Sequence, residues 1–199
     1  MMATFYHDGN RRLQDQFDSR RIADRLAGFA RAEFSADHRA FIESLPYFFL
    51  ATADAQGRPD CSFKGGMSGF VRVTGAGELA FPDYDGNGMF KSLGNILVNP
   101  GVGLLFIAMH GRPQRLRVNG SAKVSRDDPL LAETVGAQLI VRVEARAIFA
   151  NCPRYVPSMQ MVEPSTYTPR PGHEPPEPAW KSFPELSDAV PPRRPTFKG

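Results

Sequence analysis

Arg58 to Ser125 decides the fold. It contains RPDCSFKGGMSGFVRV (58–73), ELAFPDY (78–84), DGNG (85–88), MFKSLGNILVNP (89–100), VGLLFIAM (102–109) and RLRVNGSAKV (115–124). The last run alternates. Leu116, Val118, Gly120, Ala122 and Val124 face one way, and Arg115, Arg117, Asn119, Ser121 and Lys123 face the other. That period of two predicts a strand with one buried face. Val102 to Met109 is almost wholly apolar, which predicts a strand buried on both faces. Phe70 to Val73 and Glu78 to Asp83 form a hairpin across Gly75-Ala-Gly77. Gly65, Gly66 and Gly69 interrupt the ladder and predict a bulge or a close backbone approach to a ligand, with a flexible loop as the alternative.

Upstream, Tyr47 to Ala53 (YFFLATA) reads as a mostly buried strand, and Arg58 to Lys64 returns beside it after the Asp54-Ala-Gln-Gly57 turn. A helix is predicted from a Ser35 cap, with Phe41, Ile42 and Leu45 inward, His38 solvated or capping, and Pro46 as the stop. Before it, Leu13, Phe17, Ile22, Leu26, Phe29 and Phe34 recur at helical gaps, with Asp18-Ser19 ending one helix and capping the next. Downstream, Asp127 to Val135 reads as a short helix. Leu139 to Phe149 reads as a strand with Leu139, Val141, Val143, Ala145 and Ala147 on its core face. Ten of the eighteen prolines lie from Pro164 onward, so the tail should lack regular structure, wrapping the surface or staying disordered; Trp180 and Phe183 hint at docking.

These runs predict a mainly β protein with peripheral helices, a six- or seven-stranded antiparallel barrel joined by tight turns. Three segments are expected: a helical arm over 1–34, the barrel over 35–161 and the Pro-rich tail over 162–199. Hydrophobic content of 42% and charged content of 23% fit a soluble globular chain. A net charge of +3 with no dense basic run argues against nucleic acid or a membrane as principal partner. No apolar run approaches the length of a membrane span and the N-terminus is not signal-like, which leads us to expect a cytoplasmic protein. Cys61 and Cys152 stand far apart and read as unpaired thiols.

Candidate chemistry centres on DGNG and the helix that follows, expected from about Met89 to Val98 with Leu93, Ile96 and Leu97 as its apolar face. A helix N-terminus bearing Lys91 and Ser92 suits a phosphate; a solvated helix face is the alternative. GNGMFKS lacks the glycine that precedes Lys in a P-loop, and the following strand reads as antiparallel. The strand order should gather Lys64, Asn87, Lys91, Ser92, Asn95, Arg115 and Arg117. His7, His38, His110 and His173 show no metal-ligand spacing, and no nucleophile motif or acid/base pair stands out. A phosphate-binding rim without evident catalytic residues points to a cofactor that carries the chemistry itself.

LATADAQGRPDCSFKGG (50–66), LAFPDYDGNGMFKSLGNILVNPGVGLLF (79–106) and LRVNGSAKV (116–124), in that order and spacing, resemble the pyridoxamine 5'-phosphate oxidase-like split barrels that bind FMN. The likeness spans roughly Phe41 to Tyr155, and NCPRY (151–155) resembles the branch of predicted flavin-nucleotide-binding proteins. The resemblance implies FMN at a homodimer interface. It places Cys61, Ser62, Phe63 and Lys64 along the isoalloxazine, with Phe81 and Pro82 on the next strand. Lys91 and Ser92 fall where the family has a basic pair for the phosphate. Ser92 replaces the second basic residue, so Asn87 or Asn95 would share that grip. Arg115 falls where pyridoxamine phosphate oxidases carry Gln, and a cation there would stabilise the reduced flavin anion. Arg154 and Tyr155 join the cofactor-binding set on the same likeness. The oxidases' C-terminal substrate segment has no match in this tail, so pyridoxamine phosphate is not the expected substrate. The expected function is an FMN-dependent oxidoreductase passing electrons between reduced nicotinamide and a small organic acceptor or oxygen. The alternative is a non-catalytic flavin carrier or sensor. A third reading keeps the barrel and exchanges FMN for a deazaflavin or haem, for which only His110 lies near the barrel as an axial ligand.

Overall fold

The computed structural model describes residues 5–193 and 195–197. Three short helices come first: α1 (Asp8–Gln16), α2 (Arg20–Ala27) and α3 (Ala36–Ser44). His7 caps α1: its ring Nδ1 accepts from Gly9 N–H. Ser19 sits at the N-cap of α2 but makes no side-chain capping bond, contrary to expectation, and Asp18 before it takes a left-handed turn. Ser35 caps α3 in a capping box with His38. Ile42 and Leu45 are buried beneath it, and Phe41 packs at the core's margin.

Seven strands follow: β1 (Tyr47–Ala53), β2 (Pro59–Gly65), β3 (Arg72–Val73), β4 (Glu78–Tyr84), β5 (Gly101–Ala108), β6 (Gln114–Ser125) and β7 (Ala137–Ala150), with α4 (Lys91–Val98) between β4 and β5. All pair antiparallel, in the order β2-β1-β5-β6-β7-β4-β3. The sheet curls so that strands far apart in this order share one interior. Phe48 on β1 meets Phe81 on β4 edge to face at 4.9 Å between centroids, and lies 5.3 Å from Phe106 on β5. Phe48, Phe81 and Phe106 are fully buried, each contributing roughly 1.5–3 kcal/mol of transfer free energy.

Two glycines are fixed by close approach. A Cβ on Gly120 would collide with the Glu144 carbonyl oxygen of the neighbouring strand. A Cβ on Gly66 would enter the Phe70 ring. At Gly66 the close neighbour is therefore the chain's own buried aromatic. The β6–β7 register shifts between Asn119 and Gly120, leaving Arg146 extra on β7. That bulge reverses the face beyond it, so Ile148 is buried where Ala147 was expected inward. Two other expectations change. β5 buries one face only; Val102, Leu104, Phe106 and Ala108 point inward, while Gly103, Leu105 and Ile107 are half-buried. Residues 127–135 form only a 3-10 turn, Pro129–Ala132, capped by Asp128. Asp128 also receives Arg142 Nη2 at 3.0 Å, and Arg142 Nη1 reaches Glu78 at 2.7 Å, tying β4, β7 and this turn together.

The arm joins the barrel where Arg31 and Ile148 exchange backbone hydrogen bonds (3.0 and 2.7 Å). The tail wraps extended, with a 3-10 turn at Ala179–Ser182. It is tied at the Phe197 carbonyl, which accepts from Gly136 N–H (2.9 Å); just before the tail, Met159 N–H donates to the Met109 carbonyl (2.6 Å).

Candidate functional site

The curled sheet does not close. β2 ends the strand order, so its outer row of N–H and C=O groups has no strand partner. β3 pairs with β4 only at Leu79 and Ala80, which leaves the outer edge of β4 open from Phe81 onward. Between these two edges lies a cleft of about 420 Å³, floored by the start of α4 and the DGNG turn. Its size is that of a small-molecule or cofactor site. Two unpaired sheet edges can hydrogen-bond the heteroatoms of a planar ring laid between them.

Of the residues singled out in the sequence, Cys61, Ser62, Phe63, Lys64, Pro82, Asn87, Lys91 and Ser92 line this cleft together. Lys91 opens α4 and is exposed. The helix begins two residues later than expected, because Phe90 at its N-cap is left-handed (φ 47°, ψ 31°) and gives no side-chain cap. With no side-chain cap, its first amides are free for an anion. Asn87 is spent on its own turn, its Oδ1 accepting from Met89 N–H at 3.0 Å.

Five of the expected residues lie elsewhere, as does Arg117. Phe81 is buried in the aromatic core, whereas Pro82 and Asp83, further along β4, line the cleft. Asn95 faces inward and donates from Nδ2 to Thr52 Oγ1 at 3.0 Å. It and Ser92 take the inward place expected of Leu97, which is 74% exposed. Arg115, the second residue of β6, lies outside the cleft of its own chain, its Nη2 donating to the Cys152 carbonyl at 2.8 Å while its buried Nε lacks a partner. Arg117 is exposed on the same strand. Arg154 and Tyr155 are exposed beyond β7, the guanidinium 5.8 Å from the Tyr155 ring centroid. Both cysteines are free and exposed. Arg154 bonds the Cys152 thiol and holds it below the ordinary thiol range. His110 lies exposed in the β5–β6 turn and does not line the cleft.

The acidic half of the cleft was not anticipated. Asp60, Asp83 and Asp85 line it against Lys64 and Lys91. Ser92 Oγ lies 3.4 Å from Asp60 Oδ2, a long contact that points the hydroxyl toward that carboxylate. Asp83 accepts from Gln138 Nε2 at 2.9 Å, and burial raises its carboxyl above the ordinary range. The neighbouring Tyr84 hydroxyl is pushed up to about 12 by burial. Gln138 also donates to the Tyr84 carbonyl at 2.9 Å, locking the end of β4 to β7. The sequence signal for Asp83 was present in the PDYDGNG run, where carboxylates alternate at the end of a strand. Among the described residues, no group of three or more His, Cys, Asp or Glu could hold a metal ion. Among the same residues, no helix is long and apolar enough to cross a membrane.

The profile of the pyridoxamine 5'-phosphate oxidase family matches residues 34–164. The chain belongs to that family. Its seven-stranded antiparallel sheet is the family's split barrel. No curated protein sequence matches the chain. Similar solved structures include HupZ from Group A Streptococcus (15% identity, TM-score 0.48, covering 64% of this chain and 99% of that one). An FMN-binding protein from Syntrophomonas wolfei is 11% identical, with a TM-score of 0.45, and covers 71% of this chain and 96% of that one. HutZ, a heme storage protein from Vibrio cholerae, is 20% identical, with a TM-score of 0.43, and covers 59% and 94%. Family membership rests on residues 34–164 and not on these distant likenesses.

Proposed function

We propose that the chain binds FMN in the cleft and acts as an oxidoreductase, passing electrons between a reduced nicotinamide and a small organic acceptor or oxygen. The observation that carries this reading is the cleft itself. Two open sheet edges face each other, and an uncapped helix N-terminus bearing Lys91 lies at one end. The flavin would supply the redox chemistry. The chain's residues would supply placement: the β2 edge at Cys61 to Lys64 along the ring, and Lys91 with the first amides of α4 at the phosphate.

The reading includes a homodimer. Phe17, Phe29, Phe63 and Leu97 are each well over half exposed, the first two on the arm, Phe63 lining the cleft and Leu97 on α4. A second copy would cover such surface. Arg115, Arg154 and Tyr155 lie outside their own chain's cleft, and in this reading they serve the cleft of the second copy. Sedimentation should give a dimer at micromolar concentration; a monomer carrying bound FMN would overturn that part.

The experiment for the whole reading is the visible spectrum of purified protein after titration with FMN. Bound oxidised flavin gives bands on the order of 370 and 450 nm. Reduced nicotinamide should then bleach the longer band. Failure to retain FMN overturns the proposal. Retention without bleaching leaves a flavin carrier in place of an oxidoreductase.

A further inference from the structure

We propose that Lys181, in the Pro-rich tail, is a positioning residue of the cleft: it cancels the charge of Asp85 so that an anion can settle at the start of α4. The inference rests on the FMN reading above and deepens its phosphate end.

Asp85 is the first residue of the DGNG turn and lines the cleft. Its Oδ2 receives Lys181 Nζ at 2.7 Å across 96 residues of sequence. The Lys181 side chain is only 8% exposed. A side chain so covered holds its ammonium against an acceptor, which Asp85 supplies. The pair therefore forms when the tail is docked, and the tail is independently tied at Gly136 by Phe197.

The electrostatic consequence is specific. Lys64 and Lys91 alone do not offset Asp60, Asp83 and Asp85. A phosphate entering at Lys91 would meet an excess of negative charge, and at contact distances one uncompensated carboxylate weakens an anion's affinity severalfold. With Lys181 counted, the cationic and anionic side chains balance. The tail thus completes the charge of the site without touching the ligand.

The test is FMN and riboflavin titration of the full chain in four forms: wild type, Lys181→Met, Asp85→Asn and the double variant. Met keeps the aliphatic stem and removes the charge. Lys181→Met should weaken FMN by about tenfold at low salt, an effect that shrinks as salt screens it, and leave riboflavin unchanged. Asp85→Asn should tighten FMN, because the Lys181 charge is then uncompensated. The double variant should return to within about threefold of wild type, since neither charge remains. A double variant as weak as Lys181→Met would show that the pair only braces the turn, and would overturn the proposal. So would FMN affinity that ignores Lys181→Met, or that falls on Asp85→Asn, a variant that keeps an amide oxygen to accept from Lys181 Nζ. If wild type binds riboflavin as tightly as FMN, the phosphate site fails and this inference with it. If it binds neither, the flavin reading itself fails.

Discussion

β4 has two sides that meet different worlds. Inward, Phe81 packs on Phe48 at 4.9 Å in a dry aromatic cluster that holds the curled sheet together. Along its outer edge, two residues further on, Asp83 faces β2 across a cleft rimmed with carboxylates, lysines and unpaired backbone. The first environment admits almost no change in volume, because neighbours on every side are close-packed. The second tolerates changes of shape and is governed by charge. The same strand therefore separates stability from binding, and variants on its two sides should sort accordingly.

The largest effect is expected on the closed side. Gly120→Val would drive a branched side chain into the Glu144 backbone, where the bulge leaves no room. Soluble folded protein should be lost, as read by circular dichroism and size exclusion. A folded Gly120→Val variant would break the claim that β6 and β7 are held this closely. Next comes Phe48→Ala, which empties the centre of the cluster formed with Phe70, Phe81 and Phe106. It should cost about 3–5 kcal/mol in urea unfolding. The remaining folded protein should still bind FMN, if packing and binding are separate as argued.

On the open side, Lys91→Ala should weaken FMN by about 1–3 kcal/mol, the scale of a charge-assisted hydrogen bond. The urea midpoint should barely move, because Lys91 is exposed at the start of α4. Riboflavin should bind both proteins alike. Equal FMN affinity in the two proteins would remove the phosphate from this end of the cleft.

The same contrast explains what could be read from the sequence. The barrel was legible because period-two runs and apolar runs report burial directly, so β6 sits where its alternation puts it and β1 where its apolar run does. Errors arose where a local irregularity shifts the phase. The extra residue at Arg146 moved Ile148 inward, and left-handed Phe90 delayed α4; Leu97 points out because the inward face of α4 is Ser92, Leu93, Asn95 and Ile96. The cleft residues of β2 and α4 were legible from their order and from resemblance to a family. Phe81, Asn95, Arg115, Arg154 and Tyr155 do not line the cleft of their own chain. Strand order alone does not say which side of a curled sheet, or which end of it, a side chain reaches. Asp83 and the Lys181–Asp85 pair escaped because their significance depends on burial and on a contact between distant segments.

The smallest expected effect sharpens the comparison most, because it sits on β4 itself. Burial raises the Asp83 carboxyl above its ordinary value of 3.8, and the Gln138 bond and the Lys64 charge offset that only in part. A raised folded value means the folded state prefers the proton. That preference stabilises the fold fully below pH 3.8 and is lost as pH rises through the raised value. At neutral pH the ionised Asp83 is therefore a small burden on stability. Asp83→Asn keeps an oxygen to accept from Gln138 and removes the charge. The variant should unfold at slightly higher urea than wild type at pH 7, with the difference shrinking toward zero as pH falls to 4. It should also bind FMN somewhat more tightly at pH 7, because one carboxylate has left the cleft. Paired urea titrations at pH 7 and pH 4 test the first half, and FMN titration tests the second. If Asp83→Asn is less stable at pH 7, the carboxylate is an anchor of the β4–β7 seam and belongs with Phe81 on the closed side.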